Sequence, residues 1–272
     1  CIDISDKPRF AWRGLMLDVS RHFFTKQEVK RFIDLMAEYK YNVFHWHLSD
    51  DQGWRVEIKS LPRLTDVGAW RAPRVGNWWE REPQSVTDSL TYGGFYTQDD
   101  IREVVEYARE RFITVVPEID VPGHSMALLT AYPEISCTGG PFHVNVGNTF
   151  YTKEENSLCV GKEKTFAILD MIFDELVDLF PSSYIHIGGD ECYKGFWAKC
   201  PDCRARMSSK QLQNVEELQS YFVKRVASHI QSKGKHVIGW DEILEGGLAK
   251  DAIVMSLSLI HISEPTRPRL IS

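Results

Sequence analysis

An α/β fold of the (β/α)8 TIM-barrel type, incomplete at about six of its eight strands, is what three features of this 272-residue chain predict together. Apolar strand-like runs alternate with amphipathic helical segments, the pattern of a parallel sheet covered by helices. No G-x-G-x-x-G turn follows the first strand, which argues against an open dinucleotide-binding sheet. Carboxylates follow strand after strand, at Asp18, Asp50, Glu118/Asp120, Asp190/Glu191 and Asp241/Glu242. Barrel enzymes assemble their sites from the C-terminal ends of several strands.

Taken in order, residues 13–20 read as a buried first strand. Thr25-x-x-Glu28 then opens a helix as a capping box, with Val29, Phe32, Ile33 and Met36 at helical spacing. Residues 42–48 form the second strand. A loop from about residue 49 to 96, rich in Trp, Gly, Pro and charge, is long enough to signal function or disorder. Thr97-x-x-Asp100 caps the next helix, with Ile101, Val104, Val105 and Ala108 on one face. The third strand covers 113–119, and a second long loop runs from 120 to about 161. A third helix carries Phe166, Leu169, Phe173, Leu176, Val177 and Phe180 ahead of a fourth strand at 184–188. Asn214-x-x-Glu217 caps a helix with Leu218, Phe222, Val226 and Ile230; strands at 236–240 and 252–256 follow.

Composition narrows the class. A hydrophobic fraction of 43% with 26% charged residues excludes a disordered or collagen-like chain. The net charge of −6 offers no electrostatic footprint for nucleic acid, so none is expected as a partner. No apolar run approaches the ~20 residues of a membrane span. Six cysteines are too sparse for a disulfide-built scaffold. The chain starts at Cys1 without a signal segment and reads as a fragment.

The densest chemistry lies in Tyr184-Ile-His-Ile-Gly-Gly-Asp-Glu191. Successive strand side chains alternate faces, so adjacent carboxylates share a pocket only where the strand has ended. Gly188-Gly189 supplies that break. Crowding raises the pKa of one acid of such a pair, so that it holds a proton near neutral pH; the alternative is a solvated acidic loop. In Phe44-His-Trp-His-Leu-Ser-Asp-Asp51, His45 and His47 alternate onto one face. They are either ligands of a metal-dependent barrel hydrolase, which needs further histidines at later strand ends, or hydrogen-bonding core residues with Asp50 facing the pocket. His186 has an ambiguous orientation, and His236 begins its strand, at the wrong end for metal binding. Pro122-Gly123 turns the chain sharply and projects His124 towards an acid, unless that histidine is structural. Trp240 is either a barrel-mouth ring that packs on a sugar face or acetamido methyl, or a core residue. Cys200-Pro-Asp-Cys203 has redox or zinc spacing, but no second CxxC or His pair follows. A four-ligand zinc site is therefore incomplete, and the pair is expected to tie or decorate a loop. Cys137 and Cys159 bracket one loop and could bridge in an oxidising compartment.

Together these segments resemble the catalytic barrel of glycoside hydrolase family 20, the β-N-acetylhexosaminidases. The resemblance spans about residues 8–256. It rests on Arg13-Gly14, Leu17-Asp18, Phe44-His-Trp-His-Leu48 with Asp50, Glu118-Ile-Asp-Val-Pro-Gly-His-Ser125, His186-Ile-Gly-Gly-Asp-Glu191 and Gly239-Trp-Asp241. The surroundings of Cys137 and of Cys192 to Cys203 are bacterial in style. The resemblance implies exo-hydrolysis of terminal N-acetylhexosamines from β-glycosides, with the substrate's own 2-acetamido oxygen as nucleophile and retention of configuration. It implies Glu191 as general acid and then base, and Asp190 as acceptor for the acetamido N–H. It further implies Arg13 as a clamp on the outer sugar hydroxyls, Trp240 as one wall of the acetamido pocket, and Asp50 with His124 as a network around the acid. No metal and no cofactor are implied. The partner would be a glycan bearing β-linked N-acetylglucosamine or N-acetylgalactosamine, met by a periplasmic or secreted parent protein. A non-catalytic carbohydrate-binding relic and the metal-dependent hydrolase are the competing readings.

The chain departs from the family after Ala252-Ile-Val-Met-Ser256, where the pattern calls for Trp and Leu257 stands. Residues 257–272 read as a non-native tail, the translation of a sequencing-library adapter, and residues 1–256 as a partial catalytic barrel domain. In the family a small α/β domain commonly precedes the barrel. The two remaining strands would bring a Tyr and an Asp for the acetamido group and a Trp and a Glu for the sugar. Without them two sheet edges and part of the core are exposed, so the polypeptide as written is expected to be poorly soluble and nearly inactive.

Overall fold

The computed structural model describes residues 2, 3, 5–77, 80–147, 152–247 and 249–256; the tail expected at 257–272 lies outside the described residues. Six parallel strands form one sheet: β1 (Gly14–Asp18), β2 (Val43–His47), β3 (Thr114–Glu118), β4 (Tyr184–His186), β5 (His236–Trp240) and β6 (Ile253–Met255). Each lies beside its predecessor in the chain. Helices α1 (Lys26–Glu38), α2 (Gln98–Arg109), α3 (Glu163–Leu179), α4 (Pro201–Lys210) and α5 (Val215–Ser232) lie in the crossovers. Sequential parallel strands with helical crossovers are six strands' worth of a (β/α)8 barrel. No helix among the described residues is long and apolar enough to cross a membrane.

Local chemistry starts the helices where the sequence predicts. Thr25 accepts the Glu28 amide while Glu28 reaches back to the Thr25 N–H, and Thr97 with Asp100 repeats the device. Asn214 caps α5 by accepting the Glu217 amide. The inward faces of α1 (Val29, Ile33, Met36) and α2 (Ile101, Val104, Ala108) are buried.

In the long segment between β2 and α2, one side chain gathers backbone carbonyls from several turns of the chain. Arg55 is fully buried, and its guanidinium donates to the carbonyls of Val19, Ser20, Gln52, Ala69 and Gly94. Five carbonyls replace the lost water, although burial still lowers its pKa to about 10. The segment also carries two short antiparallel ribbons, Ser49–Asp50 with Gly53–Trp54 and Trp70–Arg71 with Tyr92–Gly93.

One expectation fails in the first strand. β1 is not buried: Leu15 is 36% and Met16 40% exposed. Its outer edge has no partner strand among the described residues, and neither has that of β6. Between the two flanks opens a cavity of about 520 Å³, lined by Leu15, Met16, His45, Trp240 and Met255 among others. The cysteines also group differently from expectation. The sulfurs of Cys137, Cys159, Cys200 and Cys203 gather at one place, all within 4.8 Å of one another.

Candidate active site

Strand register sets the site's floor. Asp18, His47, Glu118 and His186 lie at one level across β1 to β4. Glu118 is the hub. Its Oε2 accepts from His45 Nε2 and His47 Nδ1, both at 2.7 Å, and its Oε1 accepts the Trp240 indole N–H at 3.0 Å. Burial pushes the Glu118 carboxyl up, but His47, His186 and His45 around it hold it well below the usual carboxylate range. Burial likewise opposes charge on His47, and Glu118 together with Asp50 overcomes it, so its pKa lies well above the ordinary imidazole value.

From His47 the network climbs to the rim. His47 Nε2 meets Asp50 Oδ2 at 2.8 Å, and Asp50 Oδ1 meets His124 Nδ1 at 3.1 Å. The other nitrogen of His124, Nε2, faces both acids: Asp190 Oδ2 at 3.6 Å and Glu191 Oε2 at 3.4 Å. The two neighbouring carboxylates therefore converge on one imidazole. Burial disfavours charge on His124, but Asp50 and Asp120 outweigh it and raise its pKa well above the ordinary value.

The backbone is bent to allow this. Gly188 and Gly189 have φ of 67° and 97°, and a Cβ on Gly188 would come within 1.8 Å of Asp120 Oδ1. Glu191 and His124 adopt positive φ (45° and 49°) without being glycine. Such conformations persist only where the surroundings over-determine them. Asp120 takes the Gly189 amide at 3.3 Å. Burial, reinforced by Asp190, raises the Asp120 pKa well above normal.

The two acids of the pair sit in unequal environments: burial raises the Asp190 pKa, and the Glu191 side chain is 61% exposed at the rim. The shift follows depth: Asp190 is the acid turned into the protein.

Arg13 is a correction. It precedes β1 at the N-terminal end of the sheet, where its guanidinium donates to the carbonyls of Lys40 and Phe10. Five strand residues at ~3.3 Å each hold it roughly 16 Å from the rim. The arginine at the rim is Arg21, whose Nη1 lies 2.6 Å from Asp50 Oδ2 and 3.1 Å from Asp18 Oδ2. Asp18 also accepts the amides of Ser20 and Arg21. This Asp-x-x-Arg turn at a strand end is the signal that could have found Arg21. Trp240 ends β5 and is buried against His186 at 4.7 Å between ring centroids, with its indole N–H donated to Glu118. Asp51 and Asp120 are further site carboxylates whose roles the sequence reading did not separate from their neighbours.

The contacts of His47 are those of the hydrogen-bonding reading: both of its ring nitrogens face carboxylates, at 2.7 and 2.8 Å, with Asp50 turned towards the site.

Comparison with known proteins follows this geometry. Residues 10–263 match the model of the glycosyl hydrolase family 20 catalytic domain. A β-hexosaminidase from Porphyromonas gingivalis is 47% identical over 94% of this chain and 31% of its own length. One from Vibrio furnissii is 44% identical over 94% of this chain and 41% of its own. An exo β-N-acetylglucosaminidase of the same family from Vibrio harveyi, solved in complex with N-acetylglucosamine, superposes with a TM-score of 0.80. It is 39% identical, with 95% of this chain and 40% of that one covered. The chain thus spans about a third to two fifths of the length of these relatives. Within that span, the sheet and its rim of carboxylates make it a member of glycosyl hydrolase family 20, from the family's catalytic domain.

Proposed function

We propose that the protein to which this chain belongs is an exo-acting β-N-acetylhexosaminidase that releases terminal N-acetylglucosamine or N-acetylgalactosamine from β-glycosides. The observation that carries this is the convergence of Asp190 and Glu191 on His124, itself tied to buried Asp50. In this reading the carbonyl oxygen of the sugar's 2-acetamido group attacks the anomeric carbon, and the bond to the leaving oxygen breaks. Glu191, at the exposed rim, gives its proton to that oxygen. Asp190 accepts the acetamido N–H and balances the positive charge that develops as the oxazolinium ring closes. Water, deprotonated by Glu191, then opens the ring from the same face, which retains configuration. While Asp190 Oδ2 faces His124, its Oδ1 is buried with no hydrogen-bond partner among the described residues, an acceptor that the substrate's N–H would satisfy. Arg21, held by Asp18 and Asp50, presents a cation to the sugar's hydroxyls from the β1 side.

We further propose that residues 1–256 are part of the parent's catalytic barrel, closed there by two more strands, that 257–272 are not native, and that the parent works in the periplasm or outside the cell. The test is hydrolysis of a chromogenic β-N-acetylglucosaminide by a clone carrying the whole barrel. Glu191→Gln should lower kcat by about 10²–10⁴-fold with little change in KM. A substrate with a better leaving group should recover part of the loss. Unchanged turnover in Glu191→Gln overturns the assignment.

A further inference from the structure

Outside the network of carboxylates and histidines, four thiols meet. Cys137 Sγ lies 3.8 Å from Cys203 Sγ, and Cys159 Sγ lies 3.6 Å from Cys203 and 3.7 Å from Cys200. All four are free cysteines, and three of them are buried. The three contacts join positions 41 to 66 residues apart and link two segments: the loop after β3 and the start of α4. In a tetrahedral Zn–S₄ centre with bonds of about 2.3 Å, neighbouring sulfurs stand about 3.8 Å apart. The observed spacings match that edge.

The surroundings suit thiolates. Cys200 is the residue before α4 and Cys203 lies in its first turn, so both sulfurs stand at the positive end of a ten-residue helix. The Gly161 amide donates to the Cys159 sulfur. Gly161 also lets the loop close on the helix: a Cβ there would come within 2.2 Å of the Asp202 carbonyl carbon. Four soft sulfur donors in tetrahedral spacing select zinc over the hard cations.

We propose that Cys137, Cys159, Cys200 and Cys203 bind one structural zinc ion that staples the loop after β3 to α4. Sequence spacing rejected such a site because it looked only downstream of Cys200; the missing two ligands stand upstream. The staple braces the active site from behind. In the clamped loop, Asn156 donates to Asp51 and Ser157 to the carbonyl of Tyr193, two residues beyond Glu191. Leu158 accepts the indole N–H of Trp197, three residues before Cys200. Because four thiolates are brought together only in the folded chain, the metal's binding energy becomes folding energy.

The 272-residue chain is expressed in zinc-supplemented medium. It is purified natively, or refolded under reductant with zinc from the insoluble fraction, and freed of loose metal by gel filtration. Elemental analysis should find one zinc per chain. The four thiols should resist alkylation until denaturant and chelator are added together. Replacement by cobalt should give the visible absorption of a tetrahedral tetrathiolate complex. Exchanging all four cysteines for serine should abolish zinc retention, whereas Cys192→Ser, at a cysteine outside the cluster, should keep it. Four freely alkylated thiols with no metal overturn the proposal. So does an intact mass short of four hydrogens, which signals two disulfides, or stoichiometric iron in place of zinc.

Discussion

β1 and β2 lie side by side in register, and both read as apolar barrel strands, yet the structure covers only one. Every residue of β2 is buried, whereas β1 exposes Gly14, Leu15 and Met16. β2 has β1 on one edge and β3 on the other, helices over Phe44 and Trp46, and the Glu118 hub under His45 and His47. Among the described residues β1 has a partner on one edge only. Apolarity states what a strand needs covered; the neighbours decide whether it is. The charged machinery follows the same division. The line from Glu118 through His47, Asp50 and His124 runs on the covered side, where low dielectric strengthens each contact.

The largest effect should come from supplying the cover. The chain as written is expected to aggregate, because the two sheet edges left free among the described residues and an open apolar cavity invite pairing with other copies. The same chain extended by the two strands that complete the barrel should elute as a soluble species in size-exclusion chromatography. A soluble monomer of the unextended chain with robust turnover would end this explanation of the exposed β1.

Next in size is a pair of truncations in the refolded chain. Phe44→Ala, in fully buried β2, should cost about 3–5 kcal/mol by urea unfolding, the transfer loss plus a cavity. Leu15→Ala, on the open face of β1, should cost less than about 1 kcal/mol. In the extended protein the Leu15 cost should climb towards that of a buried leucine, roughly 2–5 kcal/mol. Equal costs in the refolded chain would mean that β1 finds cover elsewhere.

Much of this was legible in the sequence, and the failures share a cause. Strand order, the three helix caps and the glycine break before Asp190-Glu191 are local or periodic signals, and each held. Arg13 was placed at the site by the family resemblance, on Arg13-Gly14; which end of a strand a residue occupies becomes plain only when direction is fixed, and the rim belongs to Arg21. The four thiols were missed for a related reason. Two ligands lie about 40 to 60 residues upstream of the Cys200/Cys203 pair, and only the folding of the loop after β3 onto α4 brings them within 4.8 Å. The upward shift of Asp190 depends on its depth, which sequence does not disclose.

The smallest expected effect separates the covered side by pH. Asp51 is buried at the end of the covered segment, accepting the Met126 amide and the Asn156 side chain at 3.0 Å each. Burial raises its pKa to about 6, with Asp50 adding to the shift and His124 opposing it. Its folded pKa thus exceeds the unfolded value, so between about pH 4 and pH 6 the native state binds the proton more tightly. The contribution is complete below the unfolded pKa and is lost as pH rises through the folded one. Asp51→Asn stays neutral throughout and removes that dependence. The stability of the variant relative to the parent should therefore rise between pH 4 and pH 6, by up to about 3 kcal/mol. Parallel urea midpoints for the two proteins across that window measure it. A flat difference would show that Asp51 is solvated in solution, and that the covered side of the barrel is wetter than the packing of β2 implies.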